Sequence, residues 1–268
     1  MTRWFDTGVN LTNSKLLPQA DDIINRALGA GVQRMLVIGT SVAESEAALA
    51  LCERYPAQLV ASVGVHPHDA AAAPTDFIER LRSLSQHPAV VAIGECGLDY
   101  NRLYSLASQQ RQVFAAQLAL AAERQLPVYL HERDAQQDQL TLLRQYREQI
   151  PAYFSHCFTG NKQALAAYLQ LDCYIGITGW VCDERRGQEL QQAVLDIPNE
   201  RLLLETDAPF LLPRNVRPRP RYNSPQLLPA IAEMVASLRQ QSLSQLAEQC
   251  WQNSVRLFGA TTADAIER

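Results

Sequence analysis

The chain has 268 residues, 47% of them hydrophobic and 19% charged, with a formal net charge of −4 and an isoelectric point near 5.8. That composition excludes a disordered chain, which needs low hydrophobicity and high net charge. It also excludes a protein that coats nucleic acid by bulk positive charge, but not a nuclease, because a bound metal ion supplies positive charge locally.

In chain order, eight apolar runs rich in Val, Ile and Leu alternate with helical stretches. The runs occupy 4–10, 34–40, 59–66, 90–95, 127–131, 152–156, 173–179 and 201–207. Their last residues lie 23 to 36 positions apart, the length of a βα unit. Continuous rather than alternating apolar runs suit parallel strands buried on both faces.

The first helical stretch, 21–30, places Ile23, Ile24, Ala27 and Leu28 on one face and ends at Gly31, a C-cap signal. The second, 44–55, groups Ala47, Ala48, Leu51 and Cys52 and stops before Pro56. Helices are predicted over 105–124, 161–171 and 184–195. After the eighth run come a basic, Pro-rich loop (213–220) and two more helices, 225–239 and 244–258. Strict alternation predicts a single-domain TIM-type (β/α)8 barrel, an α/β fold spanning 1–268.

The start of the chain lacks the apolar core of a signal peptide. No apolar run approaches the ~20 residues of a membrane-spanning helix. None of the six cysteines forms a C-x-x-C pair, so they read as buried, reduced thiols. The expected location is the cytoplasm, with no membrane partner.

The polar residues are not scattered. Of five histidines, His66, His131 and His156 end runs three, five and six, and His68 follows two residues on. Only His87 lies elsewhere, in a surface loop. Glu95 ends run four and Asp207 ends run eight. A carboxylate after three Leu is costly to bury unless it is paired or binds a metal. A salt bridge or helix cap would explain any one of these residues. Taken together, Glu95, His131, His156 and Asp207 point to the active face, where the C-terminal ends of barrel strands lie. Imidazole and carboxylate suit a divalent ion such as Mg²⁺, Mn²⁺ or Zn²⁺, and a neighbouring carboxylate can accept a proton from water.

The segments GVHPHD (64–69), IGECGLDY (93–100), PVYLHERDA (127–135), SHCFTG (155–160), YIGITG (174–179) and ETDAPFL (205–211) occur in this order. Through them the chain resembles the TatD family of metal-dependent deoxyribonucleases, within the amidohydrolase-like barrels. GVNL (8–11) and GWVCDERRG (179–187) resemble its TatD-type branch. The resemblance implies metal ligation by Glu95, His131 and His156, and a strand-8 aspartate, Asp207, that binds metal or the attacking water. It implies a place near the phosphate for His66. Glu205 is either support for these ligands or a buried partner of a basic residue.

Two positions depart from the family pattern. Most members carry His-x-His at the end of strand 1; here Gly8 and Asn10 stand there. One well-formed metal site and a weak or absent second one follow, which favours Mg²⁺. Ser224 replaces the acid of a usual Asn-Glu-Pro, which weakens any loop anchor built on that acid. Arg214, Arg217, Arg219 and Arg221 are either a solvated loop or contacts to a phosphate backbone. Trp180 and Tyr100 either stack on an unpaired base or pack the loops.

The resemblance implies a monomeric 3′→5′ exonuclease with Mg²⁺ as cofactor, acting on single-stranded DNA and with RNA as a further substrate, in DNA repair or degradation. The rival readings are a metal hydrolase of a small ester, lactone or phosphotriester, and a non-catalytic nucleic-acid-binding protein.

Overall fold

A computed structural model describes residues 2–259 of the chain. The strands are β1 (Trp4–Val9), β2 (Val32–Val37), β3 (Leu59–Val63), β4 (Val90–Asp99), β5 (Val128–Arg133), β6 (Tyr153–Ser155), β7 (Tyr174–Ile177) and β8 (Leu202–Leu204). The α-helices are α1 (Ala20–Gly29), α2 (Val42–Arg54), α3 (Phe77–Leu84), α4 (Ala107–Arg124), α5 (Gln136–Gln145), α6 (Lys162–Leu169), α7 (Gln188–Val194), α8 (Leu228–Arg239) and α9 (Leu243–Phe258). The strands form one sheet in chain order, β1 to β8, and the fold is a TIM-type (β/α)8 barrel.

Two groups of elements each pack within themselves. The first holds residues 2–37, Cys157–Ala166 and 175–259. Here β1 pairs in parallel with β2, and β7 with β8. A bridge between Val9 and Ala208 joins the first strand to the segment after the last. Thr7 Oγ1 donates to the Leu204 carbonyl (3.0 Å). The fully buried Asp6 accepts from the Thr206 hydroxyl (2.6 Å) and backbone N–H (2.8 Å). Burial pushes the Asp6 carboxyl up to about 7, although those donors work against it.

The second group holds Ile38–His156 and Ala167–Tyr174. Here β3 pairs with β4, β4 with β5 and β5 with β6, all in parallel. Every residue of β3 is buried, and all of β4 except Val91, as expected for strands covered on both faces.

Local chemistry accounts for the helix limits. Ser41 caps α2 by accepting from the Glu44 N–H (3.2 Å), and the helix ends one residue short of Tyr55-Pro56. At α9, Ser242 accepts from Gln245 N–H while the Gln245 side chain accepts from Ser242 N–H. Gly31 follows α1 with φ +85°, a conformation that favours glycine. The buried face of α1 is Ala20, Ile23, Ile24 and Ala27. Leu28 is only half-buried. The stretch predicted as a helix over 184–195 is shorter: α7 starts at Gln188, after a 3-10 turn over Gly179–Cys182.

Candidate metal centre

The centre is built on β4, which runs on to Asp99 rather than stopping at Glu95. Gly94 (φ +138°) and Gly97 (φ +144°) take backbone conformations that L side chains rarely adopt. A Cβ on Gly94 would strike the Tyr129 carbonyl, and one on Gly97 the His131 carbonyl. The two glycines therefore let β4 press against β5 while its register with β5 shifts between Ile93 and Cys96. Between them, the Glu95 N–H donates to the Gly39 carbonyl (2.8 Å).

Glu95 is 5% exposed, and three imidazoles surround one of its oxygens. His131 Nδ1 lies 3.0 Å from Glu95 Oε1, His66 Nε2 3.4 Å and His156 Nε2 3.9 Å. Burial alone would favour the neutral acid. His66, His131 and His156 outweigh it and hold the Glu95 carboxyl well below the usual carboxylate range.

Each imidazole is oriented by a second partner; at His131 and His156 that partner can accept the other ring N–H, as is usual around metal-binding histidines, whereas at His66 the second ring nitrogen is itself the acceptor. The Tyr129 hydroxyl pairs with His156 Nδ1 at 2.8 Å, which turns Nε2 toward Glu95. His66 Nδ1 accepts from the His68 backbone N–H (3.1 Å), so its Nε2 faces the same carboxylate. His131 Nε2 meets Asp99 Oδ2 at 3.2 Å. Burial opposes the His131 cation, but Asp99 and Glu95 on either side push it up to about 9.

Asp99 was not singled out from the sequence. It is 1% exposed, and its Oδ2 also contacts His68 Nε2 (2.8 Å). Its Oδ1 accepts from the N–H groups of Asn101 and Arg102 (3.0 and 2.9 Å). Burial works against its charge, but the His131, Arg102 and His68 donors keep the carboxyl below its ordinary range. Only with β4 continued to Asp99 does the pattern emerge: on a strand, Glu95, Gly97 and Asp99 share a face by period two.

Three buried glutamines clamp the backbone that carries these groups. Gln117 accepts from Val65 N–H (2.8 Å) and donates to its carbonyl (3.0 Å), next to His66. Gln139 accepts from Leu98 N–H (3.1 Å). Gln110 accepts from Asp99 N–H (2.8 Å) and donates to the Asp99 and Ser105 carbonyls (2.9 Å each). Replacing one buried partner leaves the other without a hydrogen bond, at about 1–3 kcal/mol per group. Gln110→Leu is therefore expected to lower stability by about 3 kcal/mol and Tm by roughly 6–12 °C, measured by urea and thermal unfolding. An unchanged midpoint would show that the clamp contributes nothing.

The other predicted residues lie in the first group of elements. Asp207 sits at φ +51° after β8. Its N–H donates to the Gly8 carbonyl (2.8 Å), and its Oδ1 accepts from Asn10 Nδ2 (2.8 Å). Asn10 Nδ2 also points at the Ala208 carbonyl (3.3 Å). The Asn10 amide nitrogen, rather than its oxygen, is thus what faces Asp207. Glu205 is fully buried and accepts from Cys157 N–H (2.5 Å). Ser224, in place of the usual acid, is 8% exposed with an unpaired hydroxyl. Its neighbour Asn223 holds the loop, donating to the Thr206 and Phe210 carbonyls (2.8 Å each). In the basic loop, Arg214 lies 3.9 Å from Asp183, while Arg217, Arg219 and Arg221 are exposed.

The donor set fits a divalent cation. One carboxylate oxygen and two imidazole nitrogens, from Glu95, His66 and His131, lie within 4.8 Å of one another. Such a cluster at the strand ends of a (β/α)8 barrel defines the class of metal-dependent barrel hydrolases. Comparison with known proteins narrows the class. The TatD-related DNase family pattern matches residues 5–259. The protein named 3′-5′ ssDNA/RNA exonuclease TatD from Erwinia tasmaniensis is 48% identical over 256 residues, covering 95% of this chain and 99% of its own. The Salmonella typhimurium protein of the same name is 46% identical, over 95% of this chain and 98% of its own. A crystal structure of a TatD homolog from Escherichia coli K12 aligns with a TM-score of 0.89 at 27% identity, over 97% of this chain and 99% of that one. The chain belongs to the TatD-related DNase family. Among the described residues, no helix is long and apolar enough to cross a membrane.

Proposed function

We propose that this protein is a metal-dependent 3′→5′ exonuclease that hydrolyses phosphodiester bonds in single-stranded DNA and in RNA. The observation that carries the reading is the buried Glu95 carboxylate with three oriented imidazoles around one oxygen. The names of relatives that are 46–48% identical over 95% of this chain support the polarity and the substrate.

Glu95, His131 and His156 would hold the metal, with His66 beside them. A divalent ion bound there polarises a phosphoryl oxygen and lowers the pKa of water. Mg²⁺ is the proposed metal; Mn²⁺ and Zn²⁺ are alternatives, Zn²⁺ being the one that imidazole donors suit best. Asp99 orients His131 and Tyr129 orients His156, so both rings are preorganised. His66 steadies phosphate charge, and the Asp207 carboxylate, fixed by Asn10, accepts a proton from the attacking water. The exposed arginines of the 213–220 loop contact the strand's phosphates. The reading includes action as a single-domain monomer in the cytoplasm, DNA repair or degradation being its setting. Six free cysteines, five of them buried, agree with a reducing compartment.

The test uses the pure protein with 5′-labelled single-stranded and duplex oligonucleotides, in EDTA and with Mg²⁺, Mn²⁺ or Zn²⁺. The expected result is a ladder shrinking from the 3′ end, faster on single strands and absent in EDTA. Intact oligonucleotide with every metal would overturn the reading. Binding without cutting would indicate a decayed site, and a small-ester hydrolase would ignore competing oligonucleotide.

A further inference from the structure

The loop between β4 and α4 exposes Leu103 (52%), Tyr104 (64%) and Leu106 (67%), three of the six exposed large hydrophobic residues among those described. The loop is held firmly on both sides of Tyr104. Asp99 Oδ1 receives the N–H groups of Asn101 and Arg102. Ser105, 2% exposed, donates to the His68 carbonyl and accepts from the Ala71 N–H (2.9 Å each). An exposed ring on so anchored a loop is preorganised for contact.

The ring also leads to the metal centre. Tyr104 packs edge-on against His68, with centroids 4.8 Å apart; His68 packs on His66 at 4.3 Å and His66 on His131 at 4.3 Å. The Arg102 guanidinium lies 5.9 Å from the Tyr104 ring centre and donates to its hydroxyl (3.0 Å). A planar apolar surface beside a cation is the chemistry that takes a nucleobase and its phosphate. The two aromatics suggested by the sequence, Tyr100 and Trp180, are less exposed than Tyr104 and have contacts of their own. The Tyr100 hydroxyl is bound by Asp138 and Arg111 (2.8 and 3.0 Å), and the Arg186 guanidinium lies 4.5 Å from the Trp180 ring centre.

We propose that Tyr104, backed by His68 and flanked by Arg102, is a stacking subsite for an unpaired base of the strand being cut, close to the scissile phosphate. The proposal rests on the exonuclease reading. It accounts for single-strand preference, since bases in a duplex are already stacked on one another.

The experiment compares wild type with Tyr104→Ala, Tyr104→Phe and Tyr104→Trp on a single-stranded oligonucleotide. The same oligonucleotide is then tested with one abasic position scanned through its 3′-terminal nucleotides. Tyr104→Ala is expected to raise KM about tenfold, within the range for loss of one base–aromatic stack, with kcat within about twofold. Phe and Trp should restore KM. With the abasic position in the subsite, wild type should show the same rise and Tyr104→Ala no further loss. An unchanged KM in Tyr104→Ala, or an equal added loss on every abasic substrate, would overturn the subsite. If wild type cleaves and Tyr104→Ala matches it, the subsite alone fails. If wild type neither cleaves nor retains any oligonucleotide, the exonuclease reading fails and takes the subsite with it.

Discussion

Glu95→Gln is expected to reduce metal-stimulated cleavage by a factor on the order of 10³ or more while leaving the fold intact. The substitution keeps size and shape, so the packing of β4 against β5 is undisturbed. What it removes is charge. Glu95 Oε1 lies within 4 Å of His66, His131 and His156, and it is the anionic member of the proposed donor set. A neutral amide binds a divalent ion far more weakly. Removing even one well-placed electrostatic contact in an enclosed site costs about 10²–10³ in rate, and loss of the metal costs several kcal/mol more. Oligonucleotide cleavage against metal concentration measures the effect, with circular dichroism as the folding control. His131→Ala should behave alike. Wild-type nuclease activity in both folded variants would remove this cluster from the reaction.

The sequence exposes some of this site and hides the rest, for physical reasons. Glu95, His131 and His156 were legible because buried parallel strands are apolar throughout, so a polar residue closing such a run stands out. The eight runs and most helix limits were legible from the same contrast, helped by Gly31 and Pro56. Asp99 was not. Gly94 and Gly97 resemble the end of a strand, yet here they are what allows β4 to continue past Glu95. The clamps Gln110, Gln117 and Gln139 were hidden differently. Glutamine on a helix normally marks the solvent face, and only the fold shows these three buried against strand backbone. Tyr104 lies in a loop, where no periodicity distinguishes an exposed ring from a packed one. Asn10 was visible as a departure from the family pattern, but not which end of its amide faces Asp207; the carbonyl of Ala208 and the carboxylate of Asp207 both demand its nitrogen.

That exchange at Asn10 bears on the second large effect. Asp207→Asn is expected to lower kcat by about 10²–10⁴, the usual worth of a positioned proton acceptor, with little change in stability. Two local features make the substitution structurally mild. Asp207 has φ +51°, and asparagine tolerates the left-handed region as well as aspartate does. Asn10 Nδ2 donates to Asp207 Oδ1 at 2.8 Å, and the carbonyl oxygen of an introduced amide can accept that same bond. The backbone bond from Asp207 N–H to the Gly8 carbonyl needs no side chain. Shape, backbone and the Asn10 contact therefore survive, and the ability to take a proton from water does not. Metal binding by Glu95, His131 and His156 should persist, which separates this variant from Glu95→Gln. The decisive measurement is single-turnover cleavage at saturating metal, with a metal-binding titration alongside. A variant that binds metal and cuts at the wild-type rate would show that the proton leaves by another route. Asn10→Ala supplies the graded control: it removes the donor that orients Asp207 but keeps the carboxylate, so its loss should be smaller than that of Asp207→Asn.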